Sequence, residues 1–481
     1  MFKSILANRA WQLVAAVILL GASGWLPAQA QGRTDTASFT LSNAHLENVV
    51  GTVLGTPRQI VLVSLAYPNR NHTLVQNYWQ DERLRLRRQT QLTLPGHLDL
   101  AAVQGARHYM LVQLLTRDSL VLATVDTAGR LLAQVRQPLA MRRRLLEVHD
   151  LSLPQTDYFL TTEQQTKQGS FRLVCRAPNL AVRWEKSFGP DATLAASAAD
   201  STHLWLVLMA DYQGRHPVST AVCLDLATGA ELGQVALTNE QARRVPSVVE
   251  MGPGHSLLVA GHAFGGEAAV LRRSGDLFFQ RLSPTGQVLA DHLTNFEREP
   301  TLHGAGAERV QWQLLWPLAQ GQVHLIGETY TSTSAGGGIL AASVTMGIAG
   351  QTVLRPKDIV SVRLGAAGQV EQLRIVPLPL DKGSFAWPYY AQGRVMARMA
   401  TEAGTFRVRG LTDDSTHLVL RSPQQIQTLD LRSGQLSAVR PAPDKGQADV
   451  LYIGSNFVII GEARPARHIL RLVRVPLAAS R

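Results

Sequence analysis

TAVCLDLATGAELGQV, residues 220–235, is the stretch that decides the fold of this chain. An alternating apolar run, TAVCLD, is followed by the turn ATG and by a second alternating run, AELGQV. Alternation with a period of two residues indicates a β-strand. Gly229 suits the positive φ angle that a tight hairpin turn demands. The stretch therefore predicts a β-hairpin.

The same pattern recurs along the chain. Further copies read SLVLATVDTAGRLLAQV (119–135), FRLVCRAPNLAVRW (171–184), DLFFQRLSPTGQVLADHL (276–293), DIVSVRLGAAGQVEQLRI (358–375) and IQTLDLRSGQLSAV (426–439), with a weaker one, TLVQNYWQDERLRLRRQ, at 73–89. The predicted turn residues are Gly129, Asn179, Gly229, Gly286, Gly368 and Gly434, with an earlier turn near Glu82. Strand repeats spaced by about 50 residues are typical of β-propeller blades.

A second strand pair precedes most of these hairpins, as in PSVVEMGPGHSLLVAGH (246–262). Each unit thus supplies four antiparallel strands, the composition of a propeller blade. Seven units have this form, and an eighth, residues 450–475, ends after three strands. We expect Ser38–His45 to supply the missing strand and close the ring. The prediction is an all-β propeller with eight blades, or seven in the alternative count.

Two units, CLDLATGAELGQV and TLDLRSGQLSAV, resemble the repeats of quinoprotein-type β-propellers. The resemblance rests on Asp225 with Thr228-Gly229 and on Asp430 with Ser433-Gly434. It departs from that family at the docking tryptophan, because Leu232 or Gln234 and Leu436 or Ala438 stand there. The stretch from 275 to 380 is also similar to secreted bacterial propeller-like proteins without an assigned activity. The resemblance implies a fold and no quinone cofactor.

The N-terminus has the features of a secretory signal peptide. Lys3 and Arg9 precede an apolar run at 13–26, and Ala28-Gln29-Ala30 forms an A-x-A cleavage site. We therefore predict a signal peptide at 1–30, a single propeller domain at 31–481, and an exported protein that is periplasmic or extracellular. Only Cys175 and Cys223 are present, both in apolar runs, which favours buried thiols over a disulfide.

An uncharged stretch runs from Thr329 to Leu354. Its serines, threonines and three adjacent glycines argue against a membrane span, and we expect no transmembrane span after signal cleavage. Compared with the preceding unit, it is a loop insertion between the second and third strands of one blade. Long loops in compact folds are often functional. The candidate partner-binding residues are Gly336, Gly337, Gly338, Ile339, Leu340 and Met346.

Motifs for catalysis or metal binding are absent from the sequence: there is no H-E-x-x-H, no C-x-x-C and no calcium-loop spacing. His203, His255, His324 and His417 recur at the start of the second strand of their units. Equivalent positions of neighbouring blades can form a ring, or these histidines can simply flank a turn. We predict no cofactor and no metal, and leave the question of enzymatic activity open.

Two dense arginine clusters stand out in a chain whose formal net charge is +11. One holds Arg83, Arg85 and Arg87, predicted to share one face of an outer strand with Leu84 and Leu86 behind them, and the other holds Arg142, Arg143 and Arg144. Both are candidate anion-binding sites, since arginine suits carboxylate and phosphate. Nucleic acid is an improbable partner, because no aromatic residues interleave with the arginines to stack on bases.

The sequence favours a non-enzymatic binding or scaffold module for an envelope protein or an anionic glycan, and we expect a monomer. The alternative is a carbohydrate-active or other hydrolytic enzyme with its site over the central channel. Acidic residues clustered in the channel would favour the enzyme, whereas a channel lined by small and aliphatic side chains would favour the binding module.

Overall fold

The computed structural model describes most of the chain after residue 35. The described residues are 36–40, 49–54, 59–69, 71–81, 83–116, 118–138, 153, 156–164, 171–189, 192–210, 218–238, 243–264, 276–294, 310–335, 351–378, 385–387, 397, 400–401, 405–412, 416–422, 425–437, 440–441, 448–454, 457–464 and 469–477. The signal peptide predicted at 1–30 lies outside them.

Antiparallel strands make up most of the described residues. In chain order they are β1 (Thr36–Thr40), β2 (Val49–Leu54), β3 (Gln59–Asn69), β4 (His72–Gln80), β5 (Leu86–Pro95), β6 (Asp99–Gly105), β7 (Tyr109–Leu115), β8 (Ser119–Asp126), β9 (Leu131–Pro138), β10 (Phe159–Gln164), β11 (Phe171–Arg176), β12 (Val182–Phe188), β13 (Thr193–Ala199), β14 (His203–Ala210), β15 (Val218–Asp225), β16 (Glu231–Ala236), β17 (Arg243–Met251), β18 (Leu257–Phe264), β19 (Asp276–Leu282), β20 (Val288–Thr294), β21 (Val310–Pro317), β22 (Val323–Ala335), β23 (Gln351–Leu364), β24 (Val370–Val376), β25 (Phe385–Trp387), β26 (Val408–Leu411), β27 (His417–Arg421), β28 (Gln425–Asp430), β29 (Arg440–Pro441), β30 (Ala448–Ile453), β31 (Phe457–Arg464) and β32 (Ile469–Pro476).

Strands that follow one another in the chain pair side by side in eight sheets, which we number as blades. They are blade 1 (β2–β5), blade 2 (β6–β9), blade 3 (β10–β12), blade 4 (β13–β16), blade 5 (β17–β20), blade 6 (β21–β24, with β25 added), blade 7 (β26–β29) and blade 8 (β30–β32, with β1). The chain is an all-β propeller, and the eight-blade prediction is confirmed.

Blade 8 takes its fourth strand from the start of the chain. β1 pairs antiparallel with β32, with Thr36 opposite Val473 and Thr40 opposite Ile469. The expected segment was Ser38–His45, so the observed strand begins two residues earlier and ends at Thr40. This pairing covers the edge of β32, whose N–H and C=O groups would otherwise be open to another chain.

Blades 2 to 7 each pack both faces against neighbouring blades, which explains strands that are apolar on both sides. In β19, Phe278 joins a buried cluster with Trp205 of blade 4, while the next residue, Phe279, joins a cluster with Trp312 of blade 6. Successive residues of a strand point to opposite faces, so an unbroken apolar run serves two interfaces. Comparable clusters join every described pair of consecutive blades from 1 and 2 to 7 and 8.

Both cysteines belong to these interfaces, as the sequence predicts. Cys175 and Cys223 are free and completely buried. Burial raises the pKa of each thiol to about 12, so both remain protonated at neutral pH. They act as small apolar side chains.

The turn between the third and fourth strands of a blade has a recurring form. Its glycine has positive φ, 72° at Gly229 and 78° at Gly129, and the pairing register of the last strand shifts by one residue three positions later, at Leu232 and Leu132. This combination is a hairpin turn followed by a β-bulge in the last strand. Asn179 lies in the predicted turn, but the positive φ of 63° falls on the next residue, Leu180.

These turns sit against the outer part of the preceding blade. The indole Nε1 of Trp184 in blade 3 donates a hydrogen bond to the carbonyl of Leu226 in the turn of blade 4, at 2.9 Å. A Cβ added at Gly229 would lie 2.6 Å from the same indole ring. Trp184 is thus a docking tryptophan, four residues after the positive-φ Leu180 of its own unit. The family resemblance in the sequence does not include this tryptophan, because the turn before it lacks glycine.

Other interfaces use the same contact with different side chains. Arg88 of blade 1 donates to the carbonyl of Thr127, and Thr124 of blade 2 donates to that of Pro178, at 2.9 and 2.6 Å. Both carbonyls lie in the turn that precedes the last strand of the following blade. Between blades 4 and 5, Gly233 lets the backbone approach directly, since a Cβ there would lie 2.5 Å from the carbonyl carbon of Thr285.

The insertion in blade 6 begins and ends as a β-hairpin. β22 and β23 continue their pairing beyond the blade, with Thr331 opposite Arg355 and Ala335 opposite Gln351. β25 pairs with β23 along this extension. Residues 336–350, which include the candidate partner-binding residues, lie outside the described ranges. Within those ranges, no helix has the length and apolar character needed to cross a membrane.

We predict that Gly229→Ala destabilises the protein more than Gly254→Ala. Both glycines have positive φ, 72° and 67°, so each substitution strains the backbone by about 1–2 kcal/mol. Only the Cβ at position 229 meets another group, the Trp184 ring, whereas nothing lies within 4 Å of the Cβ at 254. The clash should add about 1–3 kcal/mol. Urea unfolding of the two variants measures the difference, and equal losses would contradict the docking contact.

Candidate functional site

The first strands of the blades line the centre of the molecule. β13 contacts β17, and β17 contacts β21, so the first strands of blades 4, 5 and 6 lie side by side. Fourth strands such as β9 and β20 instead alternate between exposed and half-buried side chains at the rim. Ligands of compact folds commonly occupy concave sites of this central kind.

A cavity of about 510 Å³ lies among the first strands of blades 4–7. This volume falls within the range of about 300–1,000 Å³ that small-molecule pockets usually have. Its walls are residues 194–197 of β13, 247–250 of β17, 313–316 of β21, and Leu411 of β26. Most of these side chains are small or aliphatic.

A β-bulge shapes each of these walls. The pairing register between first and second strands shifts at Ala195, Ser247 and Gln313, and all three residues line the cavity. A bulge adds one unpaired residue to a strand and redirects its side chain. The same shift recurs in the first strands of blades 2, 7 and 8, at Ala101, Arg409 and Leu451.

Glycines of the second strands lie opposite two of these bulges. Gly261 pairs with Pro246, and Gly327 pairs with Trp312. A Cβ at Gly261 would lie 2.2 Å from the carbonyl oxygen of Val245. Glycine is therefore needed where the bulged strand presses against its neighbour.

The cavity contains few polar groups, each with a distinct environment. The Nε2 atom of Gln313 is buried and has no hydrogen-bond partner among the described residues. Burial raises the pKa of Glu250, although a hydrogen bond from the N–H of Met251 to its Oε1, at 3.0 Å, partly offsets this effect. Trp316 exposes 36% of its surface. The cavity thus offers an amide donor, a carboxyl group and an aromatic face to a ligand.

The cavity walls do not assemble a hydrolytic pair. Glu250 is the one carboxylic residue among those that line the cavity in the described part of the chain. Glycoside hydrolysis commonly requires two carboxyl groups across the scissile bond. Most of the lining is small or aliphatic, which is the kind of channel expected if the protein is a binding module.

A second arrangement of polar residues lies at one end of the propeller, where first strands turn into second strands. The imidazole rings of His203 in blade 4 and His255 in blade 5 stack with centroids 4.4 Å apart. Asp200 Oδ2 lies 2.7 Å from His255 Nδ1. Burial alone would raise the pKa of Asp200, but hydrogen bonds from His255 and from the N–H groups of Thr202 and His203 lower it to about 2.

The recurring histidines thus differ in their surroundings. His203 and His417 both approach a neighbouring threonine, with Oγ1 to Nδ1 distances of 2.7 and 2.6 Å. His324 lies inside blade 6, where its Nε2 is 2.7 Å from Ser361 Oγ. Only His203 and His255 are brought together with a carboxylate in the described ranges. The sequence pattern indicated the equivalent positions, but not this pairing.

The arginine cluster at 83–87 is not arranged as predicted. Leu84 has a φ of 59° and is buried in a turn, and β5 begins only at Leu86, so the three arginines do not share a strand face. Asp81 accepts hydrogen bonds from the guanidinium groups of Arg85 and Arg87. Burial would raise the pKa of Asp81, but these bonds outweigh burial and lower it.

Arg83 is exposed beside this network, and its backbone N–H donates a hydrogen bond to Asp81 Oδ1. The second predicted cluster, Arg142, Arg143 and Arg144, lies outside the described residues. Anion binding by either cluster stays a prediction. Because Arg85 and Arg87 already pair with a carboxylate, an anion at this site would compete with Asp81.

No family model matches the sequence, and no curated protein matches it. Among solved structures, the Dos1 propeller is similar, with 8% identity, a TM-score of 0.48, and coverage of 92% of this chain and 95% of that one. The quinohemoprotein alcohol dehydrogenase ADHIIG from Pseudomonas putida HK5 has 9% identity, a TM-score of 0.42, and coverage of 94% and 78%. The AfRom2 CNH domain has 10% identity, a TM-score of 0.37, and coverage of 92% and 100%. Identities this low carry no information about activity or ligands.

His324 makes folding depend on pH in a defined direction. Burial, and then Arg363 and Arg374, lower its pKa to about 4, against 6.5 in the unfolded chain. The unfolded state therefore binds one more proton between these values, and stability falls as the pH drops from about 6.5 to 4. Through this histidine, the unaltered chain should lose about 2 kcal/mol of its unfolding free energy between pH 7.5 and pH 5. We predict that His324→Gln abolishes this loss.

Urea unfolding at both pH values measures this effect, with His72→Gln at an exposed histidine as the control. The control should retain the full pH dependence of the unaltered chain. If His324→Gln also retains it, the imidazole is not held in its neutral form by burial.

Proposed function

We propose that this chain is an exported, non-enzymatic binding module that receives a protein segment or a glycan in its central cavity. The single observation that carries this proposal is the cavity among blades 4–7, where mainly small and aliphatic side chains stand beside a few polar ones. Ligand sites are usually concave and mostly apolar, with a few polar groups that fix orientation. Export is supported by the predicted signal peptide at 1–30.

Three side chains give the cavity its recognition chemistry. The buried amide of Gln313 gains a partner when a ligand acceptor reaches Nε2, which removes the cost of an unsatisfied donor. Trp316 offers an aromatic surface, and aromatic anchors dominate many interfaces. Glu250 can bond a ligand hydroxyl or amide. These groups suit a neutral, hydrogen-bonding ligand such as a sugar or a peptide backbone.

Two further elements of the proposal rest on sequence alone. The insertion, with Gly336 to Gly338 and Met346, would extend from the end of the propeller where second strands meet third strands, and would contact the same partner. Arg83 with Arg142, Arg143 and Arg144 would add salt-sensitive attraction for an anionic glycan. Neither element requires a cofactor or a nucleic acid.

The proposal is tested by screening the purified chain against a glycan array and by a pull-down from envelope extract. We expect one of the two to yield a ligand, and that result separates glycan from protein. Trp316→Ala should then weaken binding at least about tenfold, and Gln313→Leu about fivefold. Leu289→Ala is the control, because Leu289 is 52% exposed on the outer strand of blade 5.

The control variant should bind as the unaltered chain does, and far-UV circular dichroism should show that all variants keep their strands. Unchanged binding by both cavity variants would place the ligand elsewhere and contradict the site. Turnover of a captured glycan by the purified chain would replace the proposal with the enzymatic alternative.

A further inference from the structure

The cluster of Asp200, His203 and His255 is built from two separate blades. Asp200 and His203 flank the turn between β13 and β14 in blade 4, and His255 ends the short turn that precedes β18 in blade 5. Their side chains expose 24%, 18% and 52% of their surfaces. The cluster is therefore reachable from solvent, yet held between packed elements.

Asp200 uses one carboxylate oxygen within its own turn and the other toward His255. Oδ1 accepts hydrogen bonds from the N–H groups of Thr202 and His203, at 2.7 and 2.8 Å. These bonds form a local side-chain turn that fixes the carboxylate. Oδ2 lies 2.7 Å from His255 Nδ1, and a metal ion bound between these two atoms would replace the proton that they share.

His255 is held in an unusual backbone conformation. Its φ is 61°, in the left-handed region that residues with a side chain seldom adopt. The carbonyl of His255 accepts a hydrogen bond from Nε1 of Trp205, a completely buried residue of blade 4. Gly254 and His255 are consecutive positive-φ residues of the turn, as Gln320 and Gly321 are in the equivalent turn of blade 6, so this conformation belongs to the repeat. The bond directs this turn toward blade 4 and brings the two imidazoles together.

We propose that Asp200, His203 and His255 bind a divalent transition-metal ion of the zinc class. One ligand atom from each residue can be chosen so that all three lie within 4.8 Å of one another. Tetrahedral zinc ligands at about 2.0–2.2 Å from the metal lie roughly 3.3–3.6 Å from one another, so the wider spacings must contract and the 2.7 Å contact between Asp200 Oδ2 and His255 Nδ1 must lengthen. Two imidazoles with one carboxylate suit zinc, copper or nickel, whereas calcium and magnesium prefer oxygen ligands alone.

The site would be distinct from the cavity in chemistry and position. Three protein ligands leave a coordination position open for water or for a side chain of a partner. The turns between first and second strands lie at the opposite end of the propeller from the insertion in blade 6, because the strands alternate in direction. The metal would therefore link blades 4 and 5 and offer a second docking point. This proposal does not depend on a ligand in the cavity.

The test is calorimetric titration of ZnCl₂ into the tag-free full chain at pH 7.5, after treatment with a chelator. We expect one equivalent of zinc to bind through these residues. His203→Ala and His255→Ala should each weaken zinc binding at least about tenfold. Removing a residue that only hydrogen-bonds to a metal ligand already lowers metal affinity by about that factor, so removing a ligand should cost at least as much. His417→Ala is the matched control, since His417 shares the threonine contact and strand position of His203.

A second readout is the absorption spectrum of the Co²⁺-loaded chain, which reports imidazole coordination directly. His255→Ala should change that spectrum, and His417→Ala should leave it intact. Asp200→Asn serves as a further variant if a histidine variant unfolds. It should stay folded, because the amide oxygen can still accept the two hydrogen bonds from the N–H groups of Thr202 and His203. We expect the amide to weaken zinc binding at least about tenfold while the fold is kept. No zinc binding, or binding that Asp200→Asn and both histidine variants leave unchanged, would overturn the proposal.

Discussion

In blades 2 to 7, the turn that precedes the last strand fits against the blade before it, and the stacking of these blades depends on that fit. At Gly229 the backbone must both take a positive φ and leave room for the Trp184 ring. Where the docking side chain is Arg88 or Thr124, a hydrogen bond to a turn carbonyl makes the same connection. Buried clusters then fill each interface between these contacts. Blade order is therefore set by specific contacts as well as by apolar burial.

The same stacking creates both candidate sites. Bulges at Ala195, Ser247 and Gln313 fall at one level because the blades that carry them are in register, and together they line the cavity. The histidine cluster exists because the turns of blades 4 and 5 end at the same face. Neither site belongs to one blade. A change at an interface between blades should therefore alter binding as well as stability.

The repeat made much of the fold predictable. Alternation and turn glycines indicated strands, blade number and the closing strand, since glycine is the residue a positive-φ turn selects. Leu84 and Leu180 take that conformation without glycine, so neither positive-φ position was predicted. The bulges left no sign in the sequence, because one added residue does not alter composition. His203 and His255 were recognised as equivalent, but their contact through Asp200 arises only when two blades pack.

A double-mutant cycle between Trp184 and Gly229 tests the docking contact most directly. Unfolding free energies would be measured for the unaltered chain, Trp184→Ala, Gly229→Ala and the double variant. If the ring occupies the space that a Cβ at 229 would need, Gly229→Ala must cost less when Trp184 is absent, with a coupling of about 1–3 kcal/mol. Additive losses would show that the turn and the tryptophan do not meet, and would contradict the account of how the blades are joined.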